Sequence, residues 1–333
     1  MKKYLTILLF SLATQLIAQQ DLIMYGLHDI PQSSYSNPSN RFNGKFFLGL
    51  PALSSNYFSF SNTGFAYSDA IQKQGDSLLL DFNNLIDHLE DDNFLAFNAQ
   101  VDLLSFGISI SDRTQLTVNV TEKANFRFNY PKDFIRFIYQ GNTGFDNGKA
   151  DFSGIGFSLN HYREYGIGIS HQLNEKLRLG VRAKYLYGME NIYSEKTDIS
   201  LTTDPTTFEI TAKADITVRT AGIDNLDDDE SATAYAMGRD NKGFGADFGA
   251  DYQYNDKLSF NASVLDLGYI NWNSFTKSHT NNGGEFSYSG IQINAFTSSE
   301  DTSGETSFDR VLDSLEKAFE LKESSEGYTS PLT

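Results

Sequence analysis

"KLRLGVRAKYLYG", residues 176–188, decides the fold class, because two sets of residues with different chemistry alternate along it. Every second residue from Leu177 to Tyr187 is apolar or aromatic. The positions between them are Lys176, Arg178, Gly180, Arg182 and Lys184, with Leu186 as the single apolar exception. Successive side chains of a strand point to opposite faces, whereas a helix repeats every 3.6 residues and would mix the two sets. The stretch is therefore predicted to be a strand, whose apolar face packs either in a soluble sandwich core or against lipid.

The same alternation recurs along the chain. It is found in "LLSFGISIS" (103–111), "QLTVNV" (115–120), "NFRFNY" (125–130), "GIGFSLN" (154–160), "YGIGISHQL" (165–173), "GFGADFGADYQY" (243–254) and "KLSFNASV" (257–264). Three short joins, 111–115, 174–178 and 255–259, each place Ser or Asn, an acid and then a base between two such stretches. Residues of this kind favour tight hairpin turns. The chain is therefore predicted to be all-β and antiparallel.

The choice between lipid and a soluble core depends on the second face and on the connections. Small and polar residues (Gly, Ser, Asn) fill the second face, as expected for the interior of a barrel rather than for a solvated sheet surface. Long polar stretches at 139–152, 188–197, 220–242 and 271–285 alternate with the short joins. Short turns at one end and long loops at the other are typical of outer-membrane barrels. We expect an antiparallel transmembrane β-barrel with long extracellular loops.

The joins also predict a topology. Strands 101–111, 164–173 and 243–254 run toward the short turns, and strands 114–130, 176–188 and 257–271 run back. A further down–up pair is expected over 197–218, turning at Asp204-Pro205. Residues 152–161 are either an upper continuation of the next strand or a hairpin within a loop.

A few short helices are expected as well. "PKDFIRFIYQ" (131–140) begins with proline, which is favoured in a first helical turn, and has an apolar side. "SFDRVLDSLEKAFEL" (307–321) starts at a Ser cap and has apolar residues at helical spacing. A weaker helical pattern covers 81–91. We expect these helices to cap or plug the barrel.

The ends of the chain suggest its domain organisation. Residues 1–18 combine two lysines with a short apolar run, the layout of a secretory signal peptide. We expect 19–43 to form an N-terminal segment that plugs the barrel and 44–333 to form the barrel. The chain stops at Thr333 in what resembles the start of a strand, so the barrel is expected to be incomplete at its C-terminus.

Composition and motifs argue against several functions. The formal net charge of -17 disfavours binding to nucleic acid. The chain has no cysteine, its five histidines lack metal-ligand spacing, and neither HExxH nor GxSxG occurs. The acidic run 224–230 lacks the spacing and glycine of a calcium loop, so a solvated loop is favoured over an ion site. We expect no catalysis, no metal and no cofactor.

The charges predicted to face the barrel lumen are the main candidate site. Alternation places Arg178, Arg182 and Lys184 on the inward face, near Asp247 and Asp251 of another strand. Asp215 is a further candidate neighbour. The favoured interpretation is a salt-bridge network that fills and stiffens the barrel. The alternative is a polar path or an anion site, which charges lining a pore can create.

Several stretches resemble a known group of proteins. They are "NPSNRFNGKFFLGLP" (37–51), "VDLLSFGISI" (101–110), "EKANFRFNYPKDFIRFIYQGN" (122–142), "YREYGIGISHQLNEKLRLGVRAKYLYG" (162–188) and, as the most specific, "KGFGADFGADYQYNDKLSFNASVLDLGYINW" (242–272). Together they resemble uncharacterised outer-membrane barrels of Bacteroidota, similar in layout to FadL-like barrels and to the PorV and PorP/SprF barrels of type IX secretion and gliding. The resemblance implies location and fold and supplies no functional residues.

These observations lead to one expectation and two alternatives. We expect a non-enzymatic barrel in the outer membrane of a Gram-negative bacterium, acting as a scaffold or accessory component of a surface secretion or gliding apparatus. Its expected partners are the lipid bilayer, lipopolysaccharide and proteins of that machinery. The first alternative is a FadL-like passive transporter of small or hydrophobic solutes. The second is a secreted soluble β-sandwich adhesin.

Overall fold

The computed structural model describes residues 30–75, 77–145, 148–223, 240–281, 283–288 and 319–332. The expected signal peptide, the acidic run 224–230 and most of the expected helix 307–321 therefore lie outside the described residues. The described part is dominated by antiparallel strands, which confirms the all-β prediction.

The strands are β1 (Phe46–Gly49), β2 (Asn56–Asn62), β3 (Ile71–Gln74), β4 (Ser77–Leu80), β5 (Asp92–Ser111), β6 (Thr114–Pro131), β7 (Lys149–Asp151), β8 (Gly156–Gln172), β9 (Leu177–Thr203), β10 (Ile210–Ala221), β11 (Lys242–Asn255), β12 (Leu258–Trp272), β13 (Thr276–Thr280), β14 (Gly284–Tyr288), β15 (Lys322–Ser324) and β16 (Tyr328–Pro331). The helices are α1 (Ser33–Ser36), α2 (Tyr67–Ala70), α3 (Phe82–His88) and α4 (Lys132–Gln140), with a 3-10 turn at Asn142–Gly144.

The three predicted hairpins are present and share one turn geometry. They join β5 to β6, β8 to β9 and β11 to β12, and the strand register places all three turns at the same end of the sheet, called here the turn end. In each turn a polar side chain accepts a hydrogen bond from the backbone N–H two residues later. The pairs are Ser111 with Arg113 (3.3 Å), Asn174 with Lys176 (2.9 Å) and Asn255 with Lys257 (2.9 Å).

The sheet is organised around β9. One edge of β9 pairs with β8 and, beyond it, with β7. Its other edge pairs with β11 over residues 177–187 and with β10 over residues 191–203, so the sheet forks there. β5 and β6 continue the sheet to an edge formed by β1 and β2. Over the residues that the structure describes, the hydrogen-bonded strands do not close into a barrel.

The loops at the far end, opposite the turn end, differ from the prediction. Residues 188–197 are not a loop, because they lie within the 27-residue strand β9 and pair with strands on both sides. The turn after Thr203 is therefore at the far end, and the predicted down–up direction over 197–218 is wrong. Residues 276–280 form β13 rather than loop, and 149–151 form β7. Residues 156–161 continue β8, which confirms the first of the two alternatives for 152–161.

Two of the expected helices are present. α4 matches the prediction for 131–140, and α3 lies within the weaker pattern at 81–91. Their aromatic residues Phe82 and Tyr139 stack at 4.8 Å between ring centroids. Both helices lie at the far end of β5 and β6 rather than inside the sheet. Among the described residues, no helix is both long and apolar enough to cross a membrane.

The apolar face of the sheet, which carries the odd-numbered residues of 177–185, is largely exposed, whereas Tyr187 is buried. Register aligns its side chains in rows that cross seven strands from β1 to β12. One row is Phe46, Ile108, Leu116, Ile169, Val181, Phe248 and Val264, and the next is Leu48, Phe106, Val118, Ile167, Ala183, Ala246 and Leu267. Most of these side chains are solvent-exposed, Ile167 at 59%. Exposed apolar surfaces of this extent mark sites of interaction with a membrane or with another protein.

The opposite, polar face contains the buried apolar cluster. Tyr162, Leu186, Ala221, Ile270 and Trp272 pack together, with Tyr328 and Leu332 against them. Leu186, the exception in the alternating pattern, is fully buried here. The indole N–H of Trp272 donates to the Ser330 hydroxyl at 2.9 Å, which satisfies the polar atom of a buried aromatic residue.

We expect Trp272→Ala to lower the free energy of unfolding by about 3–5 kcal/mol, because the lost indole leaves a cavity in this cluster. The measurement is urea unfolding in detergent micelles, followed by far-UV circular dichroism. Trp272→Phe should recover part of the loss. Phe244→Ala removes an exposed aromatic residue on the apolar face and should cost less than about 1 kcal/mol in micelles; equal losses would contradict this assignment of the core.

Candidate functional site

The polar face holds a buried cluster of charges centred on Lys184 of β9. Its Nζ lies 2.7 Å from Asp247 Oδ1, 2.6 Å from Asp266 Oδ1 and 3.5 Å from Glu164 Oε2. The Lys184 side chain is only 2% exposed. A buried ammonium group is tolerated only when charges and hydrogen bonds compensate for the water it has lost. Three carboxylates from three different strands supply that compensation.

Glycines beside Lys184 explain how the lysine reaches these carboxylates. In the register of the sheet, its direct neighbours are Gly166 on β8 and Gly245 on β11. Neither has a side chain, so the lysine can extend sideways over both strands. The carboxylates it meets are diagonal neighbours, Glu164 of β8 and Asp247 of β11, together with Asp266 of β12.

A second lysine adds to the positive charge beside these carboxylates. Lys123 of β6 lies 2.9 Å from Glu164 Oε2 and 3.9 Å from Asp266 Oδ1. Asp266 has a positive φ of 53° and lies where the register between β11 and β12 shifts. Its backbone N–H donates to Asp247 Oδ1 at 2.7 Å. This irregularity brings the Asp266 carboxylate to the polar face.

Arg182 connects the charges to the N-terminal part of the chain. Its guanidinium lies 3.5 Å from Asp247 Oδ2 and donates to the backbone oxygen of Ser34 at 2.6 Å. It also lies over the Tyr35 ring, 4.8 Å from the centroid, in a cation–π arrangement. The Tyr35 hydroxyl donates to Asp102 Oδ2 at 2.7 Å, and burial raises the pKa of this phenol.

Hydrogen bonds extend this network to Asp102. Thr121 donates to Asp102 Oδ1 at 2.9 Å, while the Asn119 amide donates to both Thr121 and Glu164. The interior cluster is defined here as Asp102, Lys123, Glu164, Arg182, Lys184, Asp247 and Asp266. Strands β5, β6, β8, β9, β11 and β12 each contribute at least one member.

The N-terminal segment, residues 33–42, lies on the same face and contacts strands from one side of the sheet to the other. Phe42 packs edge-on against Phe47 of β1, and its backbone exchanges two hydrogen bonds with the Gln115 side chain of β6. The hydroxyl of Ser170 on β8 donates to the Ser39 oxygen at 2.8 Å. The hydroxyl of Ser263 on β12 donates to the Ser36 oxygen, also at 2.8 Å.

Two glycines make room for this segment. A Cβ on Gly180 of β9 would lie 2.1 Å from the Pro38 carbonyl atoms. A Cβ on Gly249 of β11 would lie 2.0 Å from Asn37 Oδ1 and 2.9 Å from the Pro38 ring. A side chain at either position would occupy the same space as the segment. These glycines therefore belong to the site, although they carry no chemistry of their own.

A small cavity lies beside the N-terminal segment. It is lined by Pro31, Tyr35, Phe47 and Asn119 among others and has a volume of 10 Å³. That is about the space needed for one water molecule. A larger groove of 460 Å³ lies at the far end, lined by residues that include Asp151, Lys213 and Glu285. Within the described ranges, no group of three or more His, Asp or Glu residues is arranged to hold a metal ion.

The structure brings together three of the five charges proposed from sequence: Arg182, Lys184 and Asp247. Arg178 and Asp251 lie on the same face, opposite each other in the register of β9 and β11, and Arg178 donates to the Ser39 oxygen at 3.5 Å. Asp215 is not in the cluster, because it pairs with Lys196 beyond the fork of the sheet.

The sequence analysis did not single out four members of the cluster. Lys123 and Glu164 follow the polar phase of their strands, so extending the alternation along β6 and β8 would have found them. Asp102 lies next to a register shift in β5, and Asp266 next to the shift in β12. A simple alternation of faces does not hold across such irregularities.

We expect Lys184→Met to lower the free energy of unfolding by about 3–5 kcal/mol, because it leaves buried carboxylates without their shared cation. Urea unfolding in detergent micelles measures this loss. Lys176→Met, in the turn directly before the same strand and exposed, is the matched control and should change stability by less than about 0.5 kcal/mol. Similar effects of both substitutions would refute the structural role of the cluster.

We expect Gly180→Val and Gly249→Val to displace the N-terminal segment, because the new side chains overlap Asn37 and Pro38. Limited proteolysis followed by mass spectrometry should then detect cleavage within 33–42 at least tenfold faster than in the unchanged protein. Ala250→Val adds a similar volume on the apolar face and should leave the cleavage rate unchanged. An unaltered cleavage rate in both glycine variants would contradict the observed contact between the segment and these two glycines.

Comparison with known proteins identifies a family for the chain. No curated protein and no solved structure matches it. A family model matches residues 38–333, a range that contains every strand described above and the whole interior cluster. The chain therefore belongs to the family of unknown function DUF5723.

Proposed function

We propose that the chain is a non-enzymatic β-barrel protein of the outer membrane of a Gram-negative bacterium, of the type found in Bacteroidota. We propose further that it is a scaffold or accessory component of a cell-surface secretion or gliding apparatus. The observation that carries the proposal is the contrast between the two faces of one sheet. The outward face is apolar and exposed, whereas the inward face is charged, buried and filled.

The dimensions of the apolar surface support a membrane location. From Leu177 to Tyr185 the apolar face extends over eight residue steps, roughly 26 Å along the strand. At the tilt of about 35–45° that barrel strands adopt, this length corresponds to a height of roughly 20 Å, which covers most of the ~25 Å apolar band of outer-membrane barrels. The register ends the band at an aromatic row, Tyr165, Tyr185, Phe244 and Tyr269, which is followed by a polar row that contains Glu122, Arg163 and Lys242. Aromatic residues are enriched at membrane–water boundaries.

The filled interior favours a scaffold over a transporter. A passive transporter needs a solute path, whereas residues 33–42 cross the polar face from β1 to β12, and the interior cluster joins six strands on the same face. Removing a filling element from a pore breaks every contact that the element makes. Here those contacts include the hydrogen bonds from Arg182 to the Ser34 oxygen and from the Tyr35 hydroxyl to Asp102. A stable interior is suited to a protein that presents a surface and transports nothing.

The far end of the sheet supplies such a surface. β9 continues 16 residues beyond Tyr187, and β10, β13 and β14 extend the sheet beside it. Helices α3 and α4 add a second projecting element, with Ile138 of α4 64% exposed. Strands and helices beyond the apolar band offer docking sites for other proteins of the cell surface.

The first test is extraction and electrophoretic mobility. Expressed with its own N-terminal sequence in a Gram-negative host, the protein should leave the membrane fraction only with detergent, and its mobility on a gel should shift on heating. Recovery as a freely soluble protein would refute the membrane location and favour the β-sandwich adhesin. Solute leakage from liposomes containing the inserted protein would refute the scaffold and favour the FadL-like transporter.

A charge in the middle of the apolar band provides a sharper test. We expect Val181→Arg to destabilise the protein in lipid vesicles by about 2–4 kcal/mol, the cost of arginine on the lipid-facing side of a barrel near the membrane midplane. Denaturant unfolding from vesicles measures the effect. Leu177→Arg, at the end of the band beside the turn, is the matched control and should cost about 1 kcal/mol or less. Equal costs at the two positions would show that this face does not contact lipid.

A further inference from the structure

The basic residues of the two ends differ in their partners. At the far end, four basic side chains have acidic partners within 4.0 Å: Lys196 with Asp215, Lys213 with Glu285, Arg219 with Glu195 and Lys277 with Glu323. Others there, such as Lys132 and Arg136, donate to a backbone or amide oxygen instead. At the turn end, Lys45, Arg113, Lys176 and Lys257 are exposed, and none has an acidic partner among the residues that the structure describes. Surface bases without a partner are available to bind an external anion.

The three hairpins present their bases in the same way. The Ser or Asn two residues earlier fixes the backbone N–H of Arg113, Lys176 and Lys257, so each base follows directly after the tip of its turn. Lys45 precedes β1, which pairs with β5 close to the first of these turns. One acid precedes each turn base: Asp112, Glu175 and Asp256. With Arg41 included, five basic side chains stand against three acidic ones at this end.

The apolar band borders this basic surface. Exposed side chains next to the turns include Ile110, Leu173, Tyr254, Leu258 and Phe260. Lys45, Lys176 and Lys257 each directly precede an apolar-face residue, so they stand at the edge of the band, where charged heads can reach the lipid headgroups. Tyrosine is also favoured at this depth. An anion that meets apolar and basic side chains together in this arrangement is the phosphate of a lipid.

We propose that Lys45, Arg113, Lys176 and Lys257 bind the phosphate groups of anionic phospholipids in the membrane leaflet at the turn end. The inference rests on the proposed membrane location and adds the lipid class, the leaflet and the residues. Electrostatic attraction to an anionic lipid surface contributes about 1 kcal/mol per base, which corresponds to about fivefold in association. The nearby acids reduce this attraction but leave an excess of positive charge.

The experiment measures lipid selectivity at the protein surface. The full chain is inserted into phosphatidylcholine vesicles that contain a trace of spin-labelled phosphatidylglycerol or spin-labelled phosphatidylcholine. Electron paramagnetic resonance then gives the fraction of each labelled lipid that the protein immobilises. We expect phosphatidylglycerol to be preferred by about fivefold, and 1 M salt to remove most of the preference.

Two quadruple variants locate the effect. The first variant should reduce the preference for phosphatidylglycerol to about one; it combines Lys45→Gln, Arg113→Gln, Lys176→Gln and Lys257→Gln. The second variant removes the same amount of charge at the far end and should leave the preference for phosphatidylglycerol unchanged; it combines Lys149→Gln, Lys196→Gln, Lys213→Gln and Lys277→Gln. Heat-dependent mobility confirms that each variant is folded. If one quadruple does not fold, single substitutions at Lys176 and Lys213 provide the same comparison with a smaller change.

The other results of these vesicle experiments distinguish the lipid inference from the membrane proposal. An inserted protein without preference for phosphatidylglycerol, or equal preferences in the two quadruple variants, overturns the lipid inference and leaves the membrane proposal standing. Failure of the unchanged protein to float with vesicles overturns the membrane proposal itself. Loss of the preference when inorganic phosphate replaces chloride at equal ionic strength would identify a free-phosphate site and overturn the assignment to lipid.

Discussion

The ammonium group of Lys184 is the constraint on which the rest of the structure depends. It is buried, so it must remain beside Asp247, Asp266 and Glu164, and these carboxylates come from three strands. A shift of one residue in any of those strands would move a carboxylate to the apolar face. Leaving one partner of a buried ion pair alone is strongly destabilising. The cluster therefore fixes the register of β8, β9, β11 and β12 together.

The N-terminal segment extends this constraint across the sheet. Its backbone and side chains are held from β1 at one edge to β12 near the other. Because one short segment contacts strands so far apart in the sheet, it holds those strands together on the polar face. This packing explains why the polar face carries small residues. Any side chain at Gly180 or Gly249 would overlap the space that Asn37 and Pro38 occupy.

The proposed function follows from the division of the sheet into an interior face that stabilises it and an outward face that is free to contact other molecules. Charges and the N-terminal segment stabilise the interior, so the outward face is free to be apolar and the far end is free to extend as strands and helices. The single sheet thus combines a filled core, a surface suited to lipid and a projecting surface suited to other proteins. At the turn end, bases without an acidic partner among the described residues lie beside exposed aromatic residues and provide a third surface with its own chemistry.

Much of this architecture was determined by the sequence alone. Alternation in 176–188 and its repeats determined the strands and their two faces, because the side-chain period of a strand is a local property. Turn residues likewise determined the three hairpins, and helical spacing determined α4. These features depend on residues close together in the chain, which is why they could be predicted.

Tertiary structure decided the features that depend on distant partners. Residues 188–197 are polar and were predicted to form a loop, yet they extend β9 because β8 and β10 pair with them on both sides. Leu186 broke the polar pattern because it faces Trp272, Ile270 and Tyr162. The irregularity at Asp266 reverses the faces of β12, so alternation could not place its carboxylate beside Lys184. Strand pairing, register shifts and burial are set by contacts between residues far apart in the chain, and only the folded molecule specifies them.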